Sequence, residues 1–247
     1  LNPDSIIRAN LTLSQDLGTG SEFLTVDNAE ILLTENQIPA GKLKSQGNGN
    51  YTFRYFPKSG NVYSVQIKIE GYPTLHATTK IPNKTKIEFV PLPQKPEETS
   101  KIEIKIYDMP GANYYWSYAY SVNKKTGNKY LSDWIDNHSP YFDDFNRVIE
   151  AETQYGFYYS TMLRITDRFY DGEILRWYEN TRFPDIYHDY SVYLETDSCY
   201  DRYLKTTIQL RMLENQEIPL SEPVQIFSNV ENGYGVFGSC VKVIRKN

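Results

Sequence analysis

"NGYGVFGSCVKVIRKN", residues 232–247, decides between an α/β nucleotide-binding chain and an all-β one. Gly233, Gly235 and Gly238 fit the pattern G-x-G-x-x-G, the spacing of loops that cradle a dinucleotide pyrophosphate. Such a loop needs a strand before it, a helix after it and an acidic residue about 20 positions on. The residues that follow Gly238 alternate instead, with Val241 and Val243 on either side of Lys242, and read as a strand. No helix N-terminus is then offered to a phosphate. The glycines are better read as a turn at Asn232-Gly233 and as points of close packing or bulging at Gly235 and Gly238. No cofactor is expected.

The same period of two runs through the rest of the chain. In "VYSVQIKIEG", residues 62–71, Val65, Ile67 and Ile69 alternate with Gln66, Lys68 and Glu70. "YTFRYFP", "ATTKIP" and "KIEFVPL" add short strands, and "SQGNGN" supplies a turn. Short strands at this rhythm predict an antiparallel sandwich. "VPLPQKPEETSK" then carries Pro91, Pro93 and Pro96 without apolar periodicity, which predicts a semi-rigid linker ending near Ser100. Residues 1–98 are thus expected to form one domain with its linker, and residues 99–247 a second. The second opens on "KIEIKIYD", continues through the aromatic strand "NYYWSYAYSVN" and turns at Asp171-Gly172. One short helix is expected after "DYSVYLETDS", capped by Asp197 or Ser198, with Tyr200, Tyr203, Leu204 and Ile208 at spacings of three and four. The fold class is all-β, mostly antiparallel.

Composition agrees with two parts. Of 22 tyrosines in 247 residues, four precede position 99, and aromatic enrichment favours strands. Up to Glu98 there are ten basic and ten acidic residues; beyond it 16 face 21. A net charge of -5 argues against nucleic acid, whose phosphates call for a basic surface. No apolar run is long enough to cross a membrane as a helix. The chain begins at Leu1 and reads as a processed one.

The candidate sites are few. His76, His138 and His188 have no ligand spacing and read as ordinary histidines. Asp133, Asp136, Asp143 and Asp144 do not fit a calcium loop and read as a solvated acidic stretch, so no metal is expected. Asp143 or Asp144 with Glu150 or Glu152 is a weak carboxylate pair for glycoside hydrolysis, and no catalytic residue is assigned. Among the aromatics, Trp116, Trp177 and Tyr178 read mainly as core, whereas "LSDWIDNHSPYFDDF" sets Trp134, Tyr141 and Phe142 among acids. That loop, with Asp143 and Asp144, is the expected ligand- or partner-binding surface. Cys199 and Cys240 suit either a disulfide or two thiols.

"VDNAEILLTEN", "GNYTFRY", "GNVYSVQIKIEGYPTLHATTKIP", "YDMPGANYYWSYAY", "FYDG" and "EPVQIFSNVENGYGVFG" follow one another between Val26 and Gly238. In this order they resemble the outer-membrane lipoproteins of Bacteroidetes grouped as domain-of-unknown-function family 4249. The first domain is also similar to immunoglobulin- and transthyretin-like sandwiches. The resemblance implies an exported lipoprotein held to the outer membrane by an acylated cysteine upstream of Leu1, and the oxidising compartment of an exported chain tips Cys199 and Cys240 towards a disulfide. It also implies a TonB-dependent outer-membrane receptor as partner, a sugar or peptide as possible solute, and no catalytic residues. A carbohydrate-binding or adhesin module is the alternative.

Overall fold

The structure, a computed structural model, describes residues 1–14, 23–93, 101–131, 139–143, 145, 151–153, 156–158, 162–180, 186–214 and 224–246. Among these residues it is all-β and antiparallel apart from one long helix, in keeping with the alternation. Contacts divide it into two compact units. The first joins Leu1–Asn83, Thr196–Leu210 and Pro219–Val241; the second joins Lys84–Glu195, Arg211–Ile218 and Lys242–Asn247. This partition differs from the expected 1–98 and 99–247, because each unit gathers segments distant in sequence.

The first unit holds six strands: β1 (Ile7–Asn10), β2 (Glu30–Glu35), β3 (Ile38–Gly47), β4 (Asn50–Phe53), β5 (Val62–Lys68) and β6 (Leu75–Lys80). Their order is β1-β4-β3-β2-β5-β6. β3 is shared: Ile38 to Leu43 pair with β2, and Lys44 to Gly47 pair with β4. Ile7 on one edge strand and Ala77 on the other lie in one core with Ile31, Leu33 and Ile67, so the sheet curls around its apolar face. Tyrosines at this core keep their hydroxyls satisfied. Tyr51 donates to the Val26 carbonyl at 2.9 Å and accepts from the Ala29 amide at 2.9 Å.

Glu35, at the end of β2, accepts from Tyr55, from Tyr63 at 2.6 Å and from Asn61 at 2.8 Å. The Tyr55 hydrogen bond first, then that of Tyr63, holds its carboxyl down at about 2. A carboxyl depressed in the fold stabilises it above the ordinary carboxyl range, and that contribution is lost as pH falls through the folded value. Between about pH 4.5 and 2 the first unit is therefore expected to weaken, by about 1 kcal/mol after solvent screening. Urea midpoints measured from pH 6 to 2.5 should fall less steeply in Glu35→Gln than in the wild type; equal slopes would remove Glu35 from the acid response.

The second unit contains β7 (Lys86–Pro91), β8 (Lys101–Tyr107), β9 (Tyr114–Asn123), β10 (Lys129–Leu131), β11 (Ala151–Thr153), β12 (Gly156–Tyr158), β13 (Leu163–Thr166), β14 (Ile174–Asn180) and β15 (Tyr187–Thr196). After β15 come the helix α1 (Ser198–Glu214) and the strand β16 (Cys240–Lys246). One sheet runs β14-β8-β7, another β10-β9-β15-β16 with β13 also on β9, and β11 pairs with β12. The alternation of "KIEIKIYD" holds: Ile102, Ile104 and Ile106 are buried with Trp177 and Tyr193. "KIEFVPL" belongs here and not with the first six strands. As β7 it sets Phe89 opposite Ile104, and Ile87 and Phe89 pack on the second core. The expected linker thus begins as a strand, and its residues 94–100 lie outside those described.

Three acids in this unit respond to pH with the opposite sign to Glu35. Burial raises Glu179, Glu195 and Asp167 above the ordinary carboxyl range. Their neutral forms suit the fold, so their contribution is complete in acid and is lost as pH rises through the folded values. Glu179 offsets part of this by accepting from Trp177 at 3.2 Å, Ser191 at 3.1 Å and Tyr193 at 2.9 Å.

Candidate functional site

The loop expected to bind is structural where the structure describes it. Phe142 bridges to Ile165, the Thr166 amide donates to the Tyr141 carbonyl at 2.8 Å, and the Asp143 amide donates to the Arg164 carbonyl at 3.1 Å. Tyr141 meets Tyr170 edge-on at 4.7 Å, and Phe142 meets Trp177 at 6.2 Å. Both rings pack on the second core and are half-buried. Asp143 pairs with the buried Arg164 and accepts from the Phe145 amide at 2.8 Å. Three residues read as an exposed face therefore serve as an extra edge on β13, because their backbone groups needed partners that only that strand offered. Trp134 and Asp144 lie outside the described residues, as do Asp133, Asp136 and His138. Trp116 and Trp177 are core residues, while Tyr178 is exposed.

The surface that the fold does present lies in the first unit, where the chain closes. Asp197 caps α1: its Oδ1 accepts from the Tyr200 amide at 2.7 Å, and its Oδ2 accepts from the Thr79 hydroxyl. The expected helix is thus present, though with 17 residues it is longer than the short one expected. Residues 224–238 run beside it as a closing segment without regular structure, yet firmly tied. Asn229 accepts from the Phe237 amide at 2.9 Å and donates to its carbonyl at 3.0 Å. The Gly235 amide donates to Ser228 Oγ at 3.1 Å, and Asn232 donates to the Thr74 carbonyl at 2.9 Å. His76 and Glu231 form a backbone bridge.

The glycine pattern acts here as a fastening. Asn232 turns with φ of 63°, and Gly238 lies so near α1 that a Cβ on it would come 2.8 Å from Tyr200 Cβ. Between the glycines stands Tyr234, 86% exposed on this tied segment. It borders an open groove of about 750 Å³ between α1 and the closing segment. Arg202 and Lys205 bring positive charge to the groove, and Gln209 and Gln225 bring amides. Arg202 stacks over Phe227 at 4.2 Å. Cations, amides and a bare aromatic ring suit recognition of carboxylate, hydroxyl or peptide groups. Sequence reading missed this candidate surface because it weighed the glycines for phosphate binding or packing and not the tyrosine between them. The usable signal was a tyrosine between two residues without side chains, where nothing local can cover the ring.

A second cluster was also missed. Carboxylate oxygens of Asp108, Asp167 and Asp171 lie within 4.8 Å of one another. Asp108 accepts from the Gly172 amide at 2.8 Å and from Tyr115 at 2.6 Å. Asp171 accepts from the Gly111 amide at 2.8 Å, and Asp167 from the Asn113 amide at 3.1 Å. Each acid thus holds the opposite turn, and the motifs "YDMPGAN" and "FYDG" are the two halves of one clasp. Cys199 and Cys240 are not bonded to each other, where a disulfide was expected. The residue of α1 that packs on the closing segment at Gly238 is Tyr200, about 100° around the helix from Cys199. Burial, then the Asp197 charge, raises the Cys199 thiol, which opposes a reactive thiolate.

Fold and groove together define an all-β protein whose first unit carries a closing segment that displays an aromatic ring. The chain belongs to the family described as Domain of unknown function (DUF4249), whose profile matches residues 1–245. No curated protein matches it significantly. No helix among the described residues is long and apolar enough to cross a membrane.

Proposed function

We propose that the chain is a non-enzymatic exported lipoprotein, an accessory binding protein of a TonB-dependent outer-membrane nutrient transporter, which it contacts through the Tyr234 groove. The observation that carries the binding surface is the 86% exposure of Tyr234 on a segment pinned on both sides by side-chain hydrogen bonds. A rigid aromatic loses little freedom on docking and is a usual anchor of recognition. Export, the lipid anchor upstream of Leu1 and the receptor as partner follow from the family resemblance. Residues expected earlier to make this contact, Tyr141 and Phe142, are half-buried against their own unit, which favours moving the surface to the closing segment.

Tyr234→Ala should reduce co-purification with the receptor from outer membranes tenfold or more, in line with an interface hot spot of about 2 kcal/mol. Its melting temperature should stay nearly unchanged, because the ring touches little of its own unit. Undiminished co-purification would refute Tyr234 as the contact. A glycan array signal lost in the same variant, with co-purification intact, would instead favour the carbohydrate-binding or adhesin alternative.

A further inference from the structure

The closing segment also roofs a cavity inside the first unit. The segment reaches β6 through the His76–Glu231 bridge. On the side of β1, Leu1 donates to the Gly238 carbonyl and accepts from the Cys240 amide at 2.8 Å. Beneath it lies a space of about 280 Å³. Ile31, Leu33 and Ile67 form its floor, and Val230 and Phe237 line it from the closing segment. Ile31 and Leu33 are each only 1% exposed. The space thus replaces contacts that a close-packed core would otherwise make. Arg8, Asn10 and His76 line it as well, so its wall is apolar for the larger part and polar for the rest. A wholly apolar engineered cavity of about 150 Å³ takes up benzene; this space is about twice as large.

We propose that this cavity is a binding site for the hydrocarbon chain of a single-chain amphiphile. Ile31, Leu33 and Ile67 below and Val230 and Phe237 above are aliphatic or aromatic, so the part of the ligand that lies between them must be apolar; a sugar or peptide backbone would leave its polar groups unpaired there. The exposed Tyr234 also borders the cavity, and marks where the chain reaches solvent and a polar head remains. The site shares Val230 and Tyr234 with the groove against α1 but does not depend on a receptor.

Decanoate is the probe. Calorimetry should show one saturable site per chain, and decanoate should raise the melting temperature of the wild type. Ala77 lines the cavity and is 6% exposed, so Ala77→Phe fills the space from β6. That variant should lose at least tenfold in decanoate affinity without a lower melting temperature. If it does not fold, the smaller Ala77→Leu takes its place with the same expected loss. Absence of saturable binding to folded wild type overturns the proposal. One-to-one binding that neither filling variant weakens does so as well, because the ligand would then sit elsewhere.

Discussion

Asp197→Ala is expected to cost about 3 kcal/mol of unfolding free energy. The side chain does two things at once. Its Oδ1 caps α1 through the Tyr200 amide, a contact whose loss costs about 1 kcal/mol. Its Oδ2 takes the hydroxyl hydrogen of Thr79, a residue 3% exposed on β6, and a hydrogen bond to a charged group contributes about 2 kcal/mol. The backbone joins in, for the Asp197 amide donates to the Ser239 carbonyl at 3.0 Å. Ser239 in turn donates to the Lys80 carbonyl at 2.9 Å. Helix start, edge strand and the residue that follows the closing segment therefore meet at Asp197. Asp197→Asn retains a good cap and should recover about 1 kcal/mol of the loss. Urea unfolding followed by tryptophan-independent circular dichroism would measure both, and a cost under about 1 kcal/mol for the alanine would show that the Thr79 bond adds nothing.

Gly238→Val should be about as damaging, again near 3 kcal/mol, but for a steric reason. A Cβ at this position would stand 2.8 Å from Tyr200 Cβ and 3.2 Å from its Cα. Neither atom can turn away as the end of a long side chain would, so α1 or the closing segment must move. Overpacking in a formed core costs about 1 to 3 kcal/mol, and the branched valine belongs at the upper end. Gly235→Ala probes a different feature of the same motif. Its Cβ would meet only Val230 Cγ2, at 3.7 Å, but its φ of 145° is unsuited to a side chain. The two variants separate close approach from backbone strain. A Gly238→Val protein that melts with the wild type would mean that this glycine has no packing role.

Local chemistry in the sequence determined a good deal of this protein. Alternation of Ile102, Ile104 and Ile106 specified a strand and its buried face, because strand side chains change face at every residue. Asp197 before an apolar i, i+3, i+4 pattern specified where the helix begins, because only an acceptor there can satisfy the first amides. The strand after Gly238 excluded a nucleotide fold for the glycine motif. Family membership was also legible, from the order of short motifs along nearly the whole chain.

Tertiary structure alone decided what those elements joined. "KIEFVPL" reads equally well as the last strand of one sheet or the first of another. Pairing of Phe89 with Ile104 assigned it, a choice made by a partner 15 residues away. "SPYFDD" has the composition of an exposed loop, yet Tyr141, Phe142 and Asp143 turn inward, since β13 supplied backbone partners and Arg164 a countercharge. Asp108 and Asp171 are 63 residues apart in sequence, and nothing between them foretells that each would hold the other's turn. Tyr234 is the converse case: its ring is bare because the glycines beside it cannot cover it and because hydrogen bonds from Asn229, Ser228 and Asn232 keep its loop from folding over it. Side-chain period and capping act over a few residues and can be read directly; which distant backbone groups become partners depends on the folded chain as a whole.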